Sequence, residues 1–157
     1  MKKFILSLIC CLSLATYAVS VDTKPHMEHS TSFVAFPQDC NANPPMVFGG
    51  KLLSEMDRCA GITTRRFLFA SPVGAKDAVT IAINNVKFHK SAEVKDLLIV
   101  TGKVIKVGEK SITIKVTIEK EMADGLELVI EGEFVFCAYD LTQKKAIPHG
   151  IILEEGK

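Results

Sequence analysis

From Lys76 onward the chain alternates apolar and polar residues with a period of two, and this constrains the fold more than any other feature. Ile112, Ile114, Val116 and Ile118 oppose Thr113, Lys115, Thr117 and Glu119, while Val79, Ile81 and Ile83 share one face of an earlier segment, so these stretches are expected to be half-buried strands. Breaks at Lys95-Asp96, at Val107-Gly108-Glu109-Lys110 and at Ala123-Asp124-Gly125 divide the region into four strands joined by short turns, the pattern of an antiparallel meander. Only one stretch has convincing helical spacing. It follows Gly49-Gly50 and runs from Lys51 to Arg66, with Leu52, Leu53, Met56, Cys59 and Ala60 on one side and Lys51, Glu55, Arg58 and Arg65 on the other. The small run Cys59-Ala60-Gly61 would let a sheet come close to this helix. With a short apolar strand at Phe33 to Phe36 ahead of the Pro37 to Pro45 loop, the chain reads as α+β: an antiparallel sheet of about five strands covered by one helix.

At 157 residues the chain has room for one domain with a real core, and one active site is expected per chain. Basic and acidic residues number 19 and 18, a balance that argues against nucleic acid or an anionic surface as a partner. Lys2 and Lys3 precede an apolar run from Phe4 to Tyr17, and the small residues Ala18 and Ser20 follow, the three regions of a secretory signal peptide. The run is shorter than the ~20 residues a spanning helix needs, so no stable membrane span is expected after cleavage. The expected organisation is a signal peptide over 1–20, a linker over 21–32 and the domain over 33–157, in a periplasmic or secreted protein. Translation from Met27 would instead leave a cytoplasmic protein. Cys40, Cys59 and Cys137 would remain after cleavage, with spacing that suits neither zinc nor a disulfide framework, and are read as small buried hydrophobes. His26, His29, His89 and His149 lack metal-ligand spacing, so neither a metal nor a cofactor is expected.

Three features carry chemistry. Asp57 follows Leu53 by four residues and precedes Ala60 by three, which directs its carboxylate from the apolar stripe. An acid drawn from water there can activate a water molecule or attack a carbonyl, although pairing with a basic residue would also explain it. Gly49 and Gly50 stand where a helix begins, and unpaired amides at such a start can hold a developing oxyanion; a flexible entry turn is the alternative. Asn41, just upstream, can orient a carbonyl or water through its side-chain amide, or form an ordinary Asx turn.

Taken in order, Asp39-Cys40-Asn41-Ala42-Asn43, Phe48-Gly49-Gly50 and Leu53-Ser54-Glu55-Met56-Asp57 resemble the Asx-rich loop, Phe-Gly-Gly turn and helical Met-Asp of bacterial acyl-CoA thioesterases and their animal relatives. The likeness continues through Val79-Thr80-Ile81-Ala82, Phe88, Asp96, Val107-Gly108, Ser111 and Phe134-Val135-Phe136 to Asp140, covering about residues 33–150. It implies a hotdog fold, an antiparallel sheet wrapped around one central helix, and hydrolysis of acyl-CoA to fatty acid and CoA. Asp57, Asn41 and Gly50 would then be the catalytic groups, with Phe48, Gly49 and Phe88 against the substrate and Lys87, Lys90, Lys110 and Ser111 toward the CoA. A homodimer or a trimer of dimers is implied as well. Where relatives have Gly-Asp, this chain has the longer Pro44-Pro45-Met46, and counting back from Gly49 without a gap puts Ala42 at the polar position. A dehydratase of the same fold would need a histidine in the loop or helix, and none lies between Cys40 and Arg66. The remaining alternative is an exported, non-catalytic relative that binds an acyl or thioester ligand.

Overall fold

The structure, a computed structural model, describes residues 25–153. Its elements in chain order are β1 (Glu28–Val34), a 3-10 turn (Pro37–Asp39), α1 (Gly49–Leu68), β2 (Ala78–Phe88), β3 (Leu97–Val107), β4 (Ser111–Met122), β5 (Gly125–Asp140) and a short β6 (Lys145–Ala146). The sheet order is β1-β3-β4-β5-β2, with β6 paired to β5, and every pairing is antiparallel. The one helix lies against the sheet and touches each of β1 to β5, as the expected architecture requires. Among the described residues no helix is long and apolar enough to cross a membrane. The expected signal peptide, 1–20, lies outside the described residues.

The alternating pattern produces the core directly. Ile112, Ile114, Val116 and Ile118 of β4 are fully buried, and Ile130, Phe134 and Ala138 of β5 with Leu98 and Val100 of β3 complete the inner face against Leu52, Met56, Cys59, Ala60 and Phe67 of α1. The close approach of helix and sheet is made from both sides: Cys59 and Ala60 of the small run are fully buried, and Gly102 of β3 faces Cys59, while Gly61 adds little. A Cβ on Gly102 of β3 would lie 2.6 Å from Thr63 Oγ1 and 3.3 Å from Cys59 Sγ, whereas one on Gly61 would meet nothing nearer than 3.9 Å.

Several expectations are corrected. The first strand begins at Glu28, inside the expected linker, because its inward residues His29 and Thr31 are polar and leave no hydrophobic alternation to read. The helix extends beyond the expected Lys51 to Arg66 at both ends. Val79, Ile81 and Ile83 are exposed, at 37%, 58% and 45%, and it is Ala78, Ala82 and Val86 that turn inward. Glu55, read as part of the polar helix face, is buried. Of the three cysteines only Cys59 is fully buried; Cys40 and Cys137 are half-buried, and all three are free thiols.

After β6 the chain folds back over the end of α1. His149 is buried edge-on to Phe67. Its Nδ1 accepts the Ile151 amide at 3.1 Å, so Nε2 carries the proton and donates to the Gly108 carbonyl at 2.7 Å. Every ring nitrogen of His149 is thus engaged in holding the terminal segment. No group of metal-ligating side chains occurs among the described residues.

Candidate active site

The helix start is shaped by two aromatic rings. Phe48 caps α1 in an extended conformation, and its carbonyl accepts the Lys51 and Leu52 amides at 2.9 and 3.2 Å. Among the described residues the amides of Gly49 and Gly50 have no hydrogen-bond partner, and they carry the positive end of a 20-residue helix. Both positions are crowded by these rings: a Cβ on Gly50 would force the Phe48 ring to move, and one on Gly49 would press to 3.3 Å from the Phe88 ring. Beside these amides opens a cleft of about 370 Å³, lined by Asn41, Met46, Val47, Gly49, Leu52 and Phe88 among others.

Asn41, Gly49 and Phe88, three of the residues chosen from sequence, therefore meet around one cleft, with Phe48 and Gly50 at the same helix start. Asn41, and not Ala42, reaches its wall. The ungapped count that favoured Ala42 is corrected because the longer loop absorbs its extra residue locally: the Met46 amide donates to the Pro44 carbonyl at 2.8 Å while the Asn41 amide donates to Met46 at 2.9 Å.

Asp57 stands apart from this cleft. It lies eight residues beyond Gly49 on α1, which at 1.5 Å per residue is roughly 12 Å along the axis. The reading that placed it on the apolar stripe is corrected: the stripe centres on Met56, Cys59 and Ala60, and Asp57 flanks it, half-buried, beside the edge strand β2. There the Thr80 hydroxyl donates to Asp57 Oδ1 at 2.9 Å. Thr80 was given no role from sequence. A threonine inside an alternating strand carries no signal of its own, and only the pairing of α1 with β2 brings it to the aspartate.

Of the residues expected to face CoA, Lys90 lines the cleft, whereas Lys87, Lys110 and Ser111 do not reach it within one protomer. Lys87 lies on a separate polar depression with Asn85, Lys115, Glu131 and Glu133. Ser111 and Lys110 sit at the opposite end of the sheet: Phe88 pairs with Ile130 and Ile130 with Ile118, seven residues along β4 from Ser111, or roughly 23 Å at the usual strand rise.

On the side of α1 away from β2, charges are closely packed. Lys51 Nζ is 3.2 Å from Asp39 Oδ1 and 3.0 Å from Glu55 Oε1, and Arg58 also pairs with Glu55. The Phe36 amide, ahead of Lys51, holds the Asp39 carboxyl below the usual carboxylate range. Glu55, ahead of Asp39, holds the Lys51 ammonium above its ordinary value, against the opposing effect of burial.

Comparison with known proteins places this geometry in a family. Residues 45–124 match the model of the thioesterase superfamily. An uncharacterized acyl-CoA thioester hydrolase of Zymomonas mobilis is 32% identical over 118 residues, covering 74% of each chain. Among solved structures, an acyl-CoA hydrolase from Staphylococcus aureus in complex with butyryl-CoA and CoA superposes with a TM-score of 0.69 at 26% identity, over 78% of this chain and 71% of that one. Variants of that hydrolase with a threonine, an aspartate or an asparagine replaced by alanine have also been solved. The hexameric thioesterase y2039 of Yersinia pestis superposes with a TM-score of 0.66 at 27% identity, over 79% of this chain and 94% of the other. The hotdog frame of helix and sheet, the glycine amides at the helix start and these matches lead to one conclusion: the chain belongs to the thioesterase superfamily.

Proposed function

We propose that this protein hydrolyses acyl-CoA thioesters to free fatty acid and CoA, at a site completed by two subunits. The observation that carries the second clause is the separation of Asp57 from Gly49. A carbonyl oxygen held by the helix-start amides and a carboxylate acting on the same carbonyl carbon each need contacts of about 3 Å, and roughly 12 Å of helix lies between them in one protomer. Strand β2 offers the solution. Among the described residues it is an unpaired edge with Val79, Ile81 and Ile83 exposed, and its two ends carry the two halves of the chemistry, Thr80 near Asp57 and Phe88 over Gly49. Pairing two copies of β2 antiparallel about a twofold axis lays the Thr80 end of one strand beside the Phe88 end of the other, which carries the partner's Asp57 toward this subunit's cleft.

In that arrangement the amides of Gly49 and Gly50 stabilise the charge that grows on the thioester oxygen, and Asn41 orients the carbonyl or the attacking water. The partner's Asp57, held by its own threonine, either takes a proton from the water that attacks the carbonyl carbon, or attacks that carbon itself to form a mixed anhydride that water then cleaves to the fatty acid. In both cases the C–S bond breaks and CoA leaves as the thiolate. The relatives' hexameric assemblies support a homo-oligomer, and we assign this chain a dimer or a trimer of dimers. Asp57→Asn is nearly isosteric and is expected to keep the fold and acyl-CoA binding while losing hydrolysis by ~10²-fold or more. Thiol release from short, medium and long acyl-CoA, followed beside melting temperature, checks this. Equal rates in the two proteins would remove Asp57 from the mechanism, and no release by wild type on any chain length would favour a non-catalytic binder.

We further propose export through the N-terminal signal. Translation from Met27 is the competing arrangement, and it would keep β1 whole, since the Met27 carbonyl already accepts the Val104 amide at 2.8 Å. Labelling the mature N-terminus in the native organism, with fractionation, separates the two: Val21 as the first residue supports export, and an intact Met27 start in the cytosol overturns it.

A further inference from the structure

We propose that Lys51 is a positioning residue for hydrolysis, tying the loop that carries Asn41 to the start of α1 through Asp39 and Glu55. The proposal rests on the hydrolase reading above and concerns residues that lie outside the cleft.

Asp39 is the hub of this clamp. Its Oδ2 accepts the Phe36 amide at 3.0 Å, its backbone carbonyl accepts the Phe48 amide at 2.9 Å, and its Oδ1 takes Lys51 Nζ at 3.2 Å. One residue thereby holds the end of the β1 connection, the cap of the helix whose first residue, Gly49, lines the cleft, and a cation from the helix itself. Asn41 follows two positions later. The second anchor of Lys51 is Glu55, 5% exposed, with Oε1 at 3.0 Å. Lys51 Nζ also stands 5.6 Å from the centre of the Phe33 ring, so the ammonium touches β1, the loop and the helix together.

A buried acid on a helix is a costly choice if stability is its only purpose, since an apolar residue of similar volume usually does as well or better. A solvated lysine pair would likewise contribute little. This lysine is instead gripped between a carboxylate that is 6% exposed and one that is 13% exposed, so its position is well defined. Because the glycine amides and Asn41 must meet a carbonyl oxygen within tenths of an ångström, a clamp that fixes Phe48 and the Asn41 loop acts on the chemical step through them. Neither Lys51, Asp39 nor Glu55 lines the cleft, so substrate contact does not enter.

The test compares Lys51→Met with Lys51→Arg in the full oligomer. Lys51→Met is expected to lower kcat ~10-fold or more while KM stays within about twofold, because a displaced oxyanion site is felt in the transition state. Lys51→Arg, which can still bridge two carboxylates, is expected to recover most of that loss. Hydrogen exchange at the Phe48 amide, which donates to Asp39, is expected to quicken by ~10-fold or more in Lys51→Met. Asp39→Asn keeps the acceptor for Phe36 but loses the ion pair, and it is expected to show the same kcat loss should Lys51→Met fail to fold. A folded variant with unchanged kcat, or with unchanged exchange at Phe48, overturns the clamp. Absence of turnover in wild type instead sinks the hydrolase reading, and the exchange rate then decides the clamp alone.

Discussion

Asp57 and Thr80 show how far a residue can be understood from its neighbours in sequence. The helical position of Asp57 was legible from spacing, but its neighbours in space were not: Thr80 is 23 residues away and reaches it only because β2 runs beside α1. If Asp57 is the base or nucleophile, the Thr80 hydroxyl fixes one of its oxygens and leaves the other for the substrate. Thr80→Val keeps the shape and suits a strand, so the melting temperature should move little while kcat falls ~10-fold from the loosened carboxylate. Thr80→Ser should restore most of the rate. Thiol-release kinetics on the three proteins check this, and a valine variant as fast as wild type would leave Thr80 with a purely structural role. Glu55 teaches the complementary lesson. Charge alone put it on the solvated face, yet it is buried, because Lys51 and Arg58, each within a turn, cover and neutralise it.

At the scale of elements, the strands whose inner faces are wholly apolar were legible. β4 and β5 bury every second residue along most of their length, so the period of two appears directly in the residue types. The two edge strands were the poorly read ones. β1 hides half of its length behind polar inward residues, and β2 inverts the usual sense by exposing its larger aliphatic side chains and turning alanines inward. Both failures have one cause: periodicity reports which residues share a face, while the side of the sheet that a neighbour covers depends on what packs there. Gly102 belongs to the same account. Within a run of β-branched residues it looks like a weak point, but only Gly allows Thr63 and Cys59 of α1 to approach β3 so closely.

For the whole molecule, the exposed aliphatic row on β2 is the surface that the proposed two-subunit site assigns to a second copy of the chain. Ile81 is 58% exposed in the protomer, so Ile81→Lys should cost the isolated fold little. A lysine buried at a subunit boundary would be unpaired, and the variant is expected to fall to monomers and to lose hydrolysis with them. Light scattering at micromolar concentration together with thiol release checks the linkage. A monomeric variant that retained full activity would put Gly49 and Asp57 to work within one chain and remove the two-subunit site.

The sequence by itself determined the α+β arrangement, the turns between β2 and β5, and the helix start with its paired glycines, because each of these is written in local spacing or in a backbone requirement. Asn41, Gly49 and Phe88 were also identified from sequence, and the fold brings them around one cleft, with Phe48 at the helix start beside it. Only the tertiary structure decided that Asp57 sits roughly two helical turns from that cleft, at 3.6 residues per turn, and that Thr80 holds it. It likewise decided that Lys110 and Ser111 lie at the far end of the sheet. These are distances between segments remote in the chain, set by strand register and by the line along which the helix crosses the sheet, and no pattern within a single segment encodes them.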